Sequence, residues 1–402
     1  MAERDIRSDM TTSIEEQMAR MKQKSTIAAM SYYRDIALGM YDPKRLADPG
    51  PLIGTFCNLV PEELILAAGA RPFRLCAGYQ GTISVSERIL PQVFCPLIKS
   101  SVGLFMSEVL DEVEMIVVPT TCDGKKKAAE ILSEKKRTLI MELPHTIVSP
   151  QARGLWLTEV RTLKRNLERY LGKRIAKKNL KQAIGKTNRK RALLGELYEL
   201  RKKTPPIWGS DALLVTHTSF YADPDTWIAQ TEALLSELKD KEPVVGEQNP
   251  RIMLTGSPII LPTWKIPFLI EEAGGIIVMD DLCSAAKTLL DKIEVRAWTM
   301  YDMLIGLADH YLMSACPCFV PNDPRITKVS NYVKDYSIDG VVYHNLQGCQ
   351  LYGGEVWRME RTLKEKGIPV LKLETSYGEG DIKQLKIRVD AFLEMLEAGI
   401  EP

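Results

Sequence analysis

The stretch IGTFCNLVPEELILAAGARPFRLC, residues 53–76, contains the pattern that decides the fold. It opens with a short apolar run, continues through a helix-like segment after Pro61, and closes with a second strand-like run. The same alternation follows in CPLIKSSVGLFMSEVL (95–110), EMIVVPTTC (114–122), KKKAAEILSEKK (125–136) and TLIMELP (138–144). Strand-like runs that alternate with helix-like segments indicate a parallel, doubly wound sheet of the α/β class.

The pattern divides the chain into four parts. Residues 1–50 are predicted to form an N-terminal helical segment that ends near Asp42-Pro43, and residues 51–150 a first α/β lobe. Residues 151–242 are charged, with apolar positions at helical spacing, which indicates a helical section. From 243 to 402 a second α/β lobe follows, with the strand candidates RIMLTGSPIIL (251–261), GIIVMDD (275–281), YSIDGVVYHNL (336–346) and IPVLKLE (368–374) and a closing helix at Ile382–Leu396. We therefore expect two Rossmann-like lobes with parallel sheets, joined by the helical section, with a cleft between them.

The composition is that of an ordinary globular protein. The 402 residues carry a net charge of +1, with 45% hydrophobic and 26% charged residues. A nearly neutral chain offers no electrostatic basis for binding nucleic acid or an anionic membrane surface. The sequence has no run of about 18 apolar residues that would span a membrane, and its start, MAERDIRSDM, lacks the apolar region of a secretory signal. We expect a cytoplasmic protein whose thiols stay reduced.

The cysteines give the sharpest indication of chemistry. The chain has eight cysteines: Cys57, Cys76, Cys95, Cys122, Cys283, Cys316, Cys318 and Cys349. Most of them stand just past a strand-like run, namely Cys57, Cys76, Cys122, Cys283 and Cys349. Because ligands of an α/β sheet bind outside the carboxyl ends of its strands, we expect these thiols to converge on one crevice. The chain has only four histidines. Converging thiolates with little histidine favour an iron–sulfur cluster in the cleft over zinc or disulfides.

Local sequence places three of these cysteines at predicted helix starts. Cys95 precedes Pro96, Cys122 opens a segment with Lys125, Lys126 and Lys127, and Cys283 opens SAAKTLL. Helix N-termini present free N–H groups to anionic ligands, and the lysines favour a thiolate at Cys122. Three histidines are expected at strand ends and interpreted as hydrogen-bonded structural residues, namely His145, His217 and His344.

Two other segments are considered and set aside. Gly185-Lys186-Thr187 resembles the end of a phosphate-binding P-loop, but Leu180 stands where the first glycine belongs, and no G-x-G-x-x-G fingerprint occurs. A nucleotide site is therefore not predicted. The basic-rich segment KRIAKKNLKQAIGKTNRKR (173–191) is interpreted as a basic surface helix, with a docking face for an acidic partner protein as the alternative.

The motifs taken together resemble a known superfamily. They are GTFCNLVPEELILAAGARPFRLCAG, CPLIKSSVG, TTCDGKKK, MELPH, DDLC, ACPCFVPNDPR, DGVVYHNLQGC and RVDAFLEML, in that order. They are similar to those of the 2-hydroxyacyl-CoA dehydratase and benzoyl-CoA reductase superfamily, from about residue 50 to the C-terminus. In ordinary dehydratase subunits three cysteines hold one [4Fe–4S] cluster, and by motif these correspond to Cys95, Cys122 and Cys349. The surplus of cysteines resembles the double-cubane cluster proteins, in which six cysteines hold an [8Fe–9S] unit.

The resemblance implies a set of ligands, partners and activities. The six implied ligands are Cys57, Cys76, Cys95, Cys122, Cys316 and Cys349, with Cys283 as the main rival and Cys318 too close to Cys316 for both to serve. The resemblance also implies a homodimer that receives low-potential electrons from an ATP-hydrolysing iron–sulfur reductase. The leading hypothesis is an ATP-dependent reductase of a small molecule, with weak proton-donor candidates at Lys99, Glu142, His145 and His344. The alternatives are a dehydratase or aryl-CoA reductase subunit with one [4Fe–4S] cluster acting on a CoA thioester, and a non-catalytic electron carrier or assembly scaffold.

Overall fold

The computed structural model describes residues 5–47, 50–246 and 248–399. Within these ranges the chain forms two four-stranded sheets in which all neighbouring strands are parallel. The first sheet has the order β2-β1-β3-β4, with β1 at Leu52–Thr55, β2 at Arg71–Arg74, β3 at Val113–Pro119 and β4 at Arg137–Met141. The second has the order β6-β5-β7-β8, with β5 at Arg251–Gly256, β6 at Ile276–Asp281, β7 at Gly340–Leu346 and β8 at Val370–Thr375. The prediction of two α/β lobes with parallel sheets is confirmed.

Helices precede, cover and connect the two sheets. Before the first sheet lie α1 (Ile6–Lys24), α2 (Met30–Leu38) and α3 (Pro43–Ala47), and with its strands come α4 (Glu62–Ala67), α5 (Gln80–Ser86), α6 (Pro96–Met106) and α7 (Asp123–Ser133). Between the sheets follow α8 (Pro150–Leu171), α9 (Lys177–Leu200), α10 (Gly209–Thr218) and α11 (Pro224–Leu238). The second sheet carries α12 (Lys265–Glu272), α13 (Met300–Leu312), α14 (Asp323–Asp335), α15 (Gln350–Lys364) and α16 (Ile382–Glu397). The domain boundaries at residues 50, 150 and 242 stay predictions.

The end of the N-terminal segment differs from the prediction. Asp42-Pro43 was expected to end a helical stretch, but Pro43 instead begins the short helix α3. Proline is suited to the first position of a helix, because the N–H that it lacks has no partner within the helix there. The side chain of Asp42 accepts a hydrogen bond from the backbone N–H of Lys44, at 2.9 Å.

The central strands show why the chain folds in this way. Every residue of β6 is buried, as is every residue of β5 after Arg251. Strands covered by helices on both faces bury near-continuous apolar runs, which matches the Ile, Val, Met and Leu residues of these two strands. The edge strand β8 is only partly buried. The core therefore lies on both faces of each sheet and leaves the carboxyl ends of the strands free to form a site.

Helix α9 is only in part the basic surface helix that was predicted. Lys190 and Arg191 are buried, and their side chains form ion pairs with Glu62 and Glu63 of α4, at 3.3 and 3.0 Å. The prediction is wrong for these two residues, because each buried cation has a carboxylate partner from the first lobe. Gly185-Lys186-Thr187 lies in the interior of the same helix, away from any strand end, and so does not form a phosphate-binding loop.

The two lobes are in direct backbone contact beside the cleft. Gly78, just after Cys76, forms an isolated parallel bridge with Pro262 of the second lobe. A Cβ atom at Gly78 would lie 2.2 Å from the carbonyl oxygen of Ile260, so only glycine allows this approach. Within the described ranges, no helix has the length and hydropathy needed to cross a membrane.

Candidate metal centre

The thiols do converge. A cavity of about 70 Å³ lies between the two lobes. Seven of the eight cysteines line it, namely Cys57, Cys76, Cys95, Cys122, Cys283, Cys316 and Cys349. Each of the six predicted ligands is among these seven. We refer to this space as the thiol cavity.

Three of the cysteines occupy the same position relative to a helix. Cys95, Cys122 and Cys349 are the residues that precede the first turns of α6, α7 and α15. The backbone N–H groups of Ile98 and Tyr352, in the first turns of α6 and α15, act on the Cys95 and Cys349 sulfurs and lower the pKa of each thiol against the larger effect of burial. The first turn of a helix carries unpaired N–H groups and a partial positive charge, which favours a thiolate. The prediction that Cys95 and Cys122 begin helices is confirmed.

Cys57 and Cys76 follow the strands β1 and β2 of the first lobe, and Cys316 follows α13 in the second part of the chain. Cys57 has a positive φ of 77°, a conformation that residues other than glycine adopt rarely. Its thiol donates a hydrogen bond of 3.5 Å to the Oδ1 atom of Asn58. Such strained residues persist where the surrounding structure imposes them, and they cluster at functional sites.

The prediction for Cys283 is wrong in one respect. A helix was expected to begin there, but only a three-residue 3₁₀ turn follows, at Ala286–Thr288. The buried carboxylate of Asp280 accepts hydrogen bonds from the backbone N–H groups of Leu282 and Ala286, at 3.2 and 3.0 Å, and holds the segment in a turn. The Cys283 sulfur lies 3.0 Å from the hydroxyl oxygen of Tyr352, so its nearest polar partner is a phenol.

His217 was also placed wrongly. It was expected at a strand end, but it lies in helix α10, all ten residues of which are buried. A helix buried on every side has no polar face, so its apolar run resembles a strand in sequence. His344 lies within β7, and its Nδ1 atom is 3.0 Å from the carbonyl oxygen of Ser257. His344 is thus a hydrogen-bonded structural residue, as interpreted from the sequence.

Thiolates in the thiol cavity would repel one another, so positive charge would stabilise them. Burial, and next the neighbouring Cys349, raise the pKa of Cys95 to about 12. Burial likewise raises the pKa of Cys283 to about 12. Cys316 differs, because a hydrogen bond from the Cys318 thiol outweighs burial and lowers the pKa of Cys316 below its ordinary value. Buried thiols that repel one another's charge are stabilised as thiolates by bound metal.

One buried cation already faces the thiols. Burial opposes the charge of Lys125, but Cys57, Cys122, Cys76 and Cys316 together raise its pKa above the ordinary value. Lys126 and Lys127, which were expected to act with it, instead pair with Asp123 and Glu130 at 3.2 and 2.8 Å. Lys125 is therefore the lysine of this segment that contributes charge to the thiol cavity.

The residues present fit an iron–sulfur group. All eight cysteines are free thiols. Thiolate sulfur is the donor that iron–sulfur clusters use, and the helix N-termini and Lys125 supply the positive potential that an anionic cluster requires.

The polar residues around the thiol cavity differ from those that the sequence suggested. The four proton-donor candidates Lys99, Glu142, His145 and His344 are not among the residues that line the thiol cavity. Lys99 instead forms an ion pair of 2.9 Å with Glu87. Two lining residues were missed as functional candidates, Arg74 and His217. A signal existed for Arg74, because it is a charged residue two positions before Cys76 in a strand-like run.

Comparison with known proteins identifies the family. The sequence profile of the 2-hydroxyglutaryl-CoA dehydratase D-component matches residues 57–396, a range that contains every cysteine of the chain. The chain belongs to this family. Membership confirms the resemblance to the dehydratase and reductase superfamily.

Relatives of this D-component family carry dehydratase or reductase names. The chain is 36% identical over 354 residues to "Putative dehydratase subunit YjiM" of Escherichia coli, covering 86% of this chain and 91% of that relative. It is 23% identical to the lactoyl-CoA dehydratase subunit beta of Anaerotignum propionicum, covering 92% and 99% of the two chains. It is 19% identical to a subunit of the benzoyl-CoA reductase of Thauera aromatica, covering 91% and 96%.

Proposed function

We propose that this protein is an iron–sulfur reductase component that holds a double-cubane [8Fe–9S] cluster and reduces a small molecule. The observation that carries the proposal is the convergence of seven thiols on one cavity. A single cubane of the dehydratase type would use three of them, Cys95, Cys122 and Cys349. The remaining thiols supply a second set of soft ligands at the same place.

The structure favours six particular ligands over the two rivals. The proposed ligands are Cys57, Cys76, Cys95, Cys122, Cys316 and Cys349, all of which line the thiol cavity, as does the rival Cys283. Cys318 does not line it, and its thiol is engaged with Cys316. The sulfur of Cys283 lies 3.0 Å from the phenol of Tyr352, which gives it a partner within the protein.

The chain's own residues would control the electrons and the solvent. When bound, the cluster would supply stored electrons at low potential. Lys125 and the N-termini of α6, α7 and α15 would offset its negative charge. Apolar walls from Leu97, Ile98 and Ile260 would keep water from the reduced sulfur core.

The proposal includes a separate ATP-hydrolysing iron–sulfur partner and a homodimer. The support for a separate ATP-hydrolysing partner is that the only sequence in this chain that resembles a phosphate-binding loop lies in the interior of α9. A nucleotide would therefore bind to the partner, which would pass single electrons to the cluster.

A second candidate is a dehydratase or reductase subunit that acts on a CoA thioester. It is favoured by the names of relatives, which include lactoyl-CoA dehydratase and benzoyl-CoA reductase subunits. Calorimetric titration with lactoyl-CoA or benzoyl-CoA separates the two, because binding of either would support the second candidate.

Iron and acid-labile sulfide analysis of anaerobically purified protein tests the proposal. We expect about eight irons per chain for two bridged cubanes, and about four would contradict it. Cys316→Ser should lower the iron content. Cys283→Ser and Cys318→Ser are the matched controls, since both remove a thiol near the cavity and should leave about eight irons.

A further inference from the structure

Two more cavities share wall residues with the thiol cavity. The outer cavity, of about 410 Å³, has the exposed residues Arg45 and Asp223 in its wall and so reaches the surface. A small passage of about 20 Å³ lies between the two. The passage shares Asn58, Arg74 and Phe220 with the thiol cavity, and Glu62, Pro72 and Phe220 with the outer cavity. Because they share walls, the three cavities adjoin one another from the surface to the thiols, and we refer to this series as the route.

Arg74 and Phe220 stand together at the inner end of this route. The guanidinium carbon of Arg74 lies 4.3 Å from the centroid of the Phe220 ring, and Phe220 lines all three cavities. Guanidinium groups stack on aromatic rings in this way and keep their charge at every physiological pH. The wall between the passage and the thiols therefore carries a permanent positive charge.

The charge of Arg74 has no partner within the described parts of the chain. The two neighbouring cations are compensated, Lys190 by Glu62 at 3.3 Å and Arg191 by Glu63 at 3.0 Å. For Arg74 neither an ion pair nor a hydrogen bond to another described residue is found. Arg74 is half-buried, so its guanidinium group remains available to an anionic ligand that enters the cavity.

His217 adds an unpaired acceptor to the same wall. Its Nδ1 atom lies 3.4 Å from the carbonyl oxygen of Ser284, which can only accept, so Nδ1 carries the proton. The Nε2 atom then keeps a lone pair, and it is buried without a partner. The side chain is 2% exposed and lines the thiol cavity. Buried polar atoms are almost always paired, so an unpaired one in a cavity wall indicates a bound group.

We infer that Arg74 and His217 form the substrate site of this cavity, and that it takes a small anion of about the size of a carboxylate. The anion would enter from the outer cavity past Phe220 and pair with the guanidinium of Arg74, whose planar fork suits two oxygen atoms. Arg74 would also offset the repulsion between the anion and the thiolate-bound group. His217 Nε2 would accept a hydrogen bond from an N–H or O–H group. That the ligand is a substrate rests on the proposed function; the binding site itself rests on the cavity.

The test compares acetate with its neutral analogue acetamide on the intact protein carrying its cluster. The line widths of the two methyl resonances in proton NMR report binding of each. We expect Arg74→Gln to weaken acetate binding about tenfold or more and to leave acetamide binding unchanged. Arg74→Lys, which keeps a cation, should retain part of the acetate affinity, and the exposed Arg88→Gln should change neither. His217→Phe keeps a ring but has no acceptor atom. It should weaken acetamide binding and leave acetate binding unchanged.

Two results would overturn the inference: no acetate binding by the unaltered protein, or equal acetate affinity in Arg74→Gln. Iron content and ATP-dependent reduction, measured on the same preparations, keep this failure separate from that of the proposed function. About eight irons with unchanged acetate affinity in Arg74→Gln would reject the anion site alone. About four irons would reject the double-cubane proposal, whatever the acetate result.

Discussion

Cys57 has a φ of 77°, so its side chain sits on a backbone conformation that favours glycine. The residue follows β1 and lines the thiol cavity, which explains why a strained cysteine stands at this position. Replacement by glycine or by alanine removes the same sulfur but differs in backbone strain.

We therefore expect Cys57→Gly to unfold with a free energy about 1 kcal/mol higher than that of Cys57→Ala, because only alanine retains the strain. Urea unfolding of the two variants side by side measures the difference. Both should lose iron to the same extent. Equal stability would show that the backbone at position 57 carries no strain, and full iron in Cys57→Gly would show that its sulfur is not a ligand.

A buried carboxyl in α10 makes stability depend on pH. Burial raises the pKa of Asp211 from its ordinary value of 3.8 to about 7, with Glu271 acting in the same direction and Ser25, Arg34 and Lys24 against it. The folded protein thus holds a proton that the unfolded chain releases. The stabilisation from this proton is complete below pH 3.8 and is lost as the pH rises through about 7.

Asp211→Asn removes this titration. We expect its melting temperature, relative to that of the unaltered protein, to rise by a few degrees between pH 5 and pH 8. Thermal unfolding across that range measures the effect, and parallel curves for the two proteins would contradict it.

At the residue scale, the sequence predicted that the thiols converge, but it did not predict which polar residues lie beside them. A cysteine after a strand is a local pattern, whereas the placement of Arg74 beside the thiol cavity depends on how β2 meets the segment after α10, where Arg74 stacks on Phe220. Asn58 shows the same dependence, since its side chain donates to the carbonyl oxygen of Cys283, 225 positions away.

At the scale of elements, the loop before α15 is in close contact with the loop before α6. Gly348 has a φ of 71°, and a Cβ atom there would lie 2.5 Å from the carbonyl oxygen of Val93. The two contacting segments end in Cys349 and Cys95, so this close approach sets two helix starts side by side.

Gly348→Ala should therefore lower the free energy of unfolding by about 1–3 kcal/mol and reduce the iron content. Gly354→Ala, in α15, is the matched control, since a Cβ atom there meets nothing within 4 Å. It should leave the iron unchanged and stabilise the helix by up to about 1 kcal/mol. Thermal unfolding with iron analysis tests both, and a Gly348→Ala protein with full iron would refute the role of this contact.

The strands were predictable because alternating apolar runs and turn residues are local signals. The elements that were predicted wrongly are those whose secondary structure depends on tertiary contacts. Helix α10 resembles a strand because it is buried on all sides, and the segment after Cys283 is held as a turn by Asp280 rather than by its own propensity.

For the whole molecule, the order of strand-like and helix-like segments predicted the two lobes and the cleft. It did not predict the side-chain contacts that hold the lobes together. The ion pair between Arg191 and Glu63 joins residues 128 positions apart, and the hydroxyl of Tyr311 donates to the same carboxylate at 2.9 Å. Such buried pairs depend on the final docking of the helices, which no local pattern records.

The sulfur atoms of the thiol cavity come from positions as far apart as 57 and 349. A ribosome must therefore translate most of the message before the last of them exists. An inorganic group held by all of them can be completed only after residue 349 has been synthesised. Until then the unfilled thiols are exposed to oxidants, so production of active protein depends on how soon iron and sulfide are delivered.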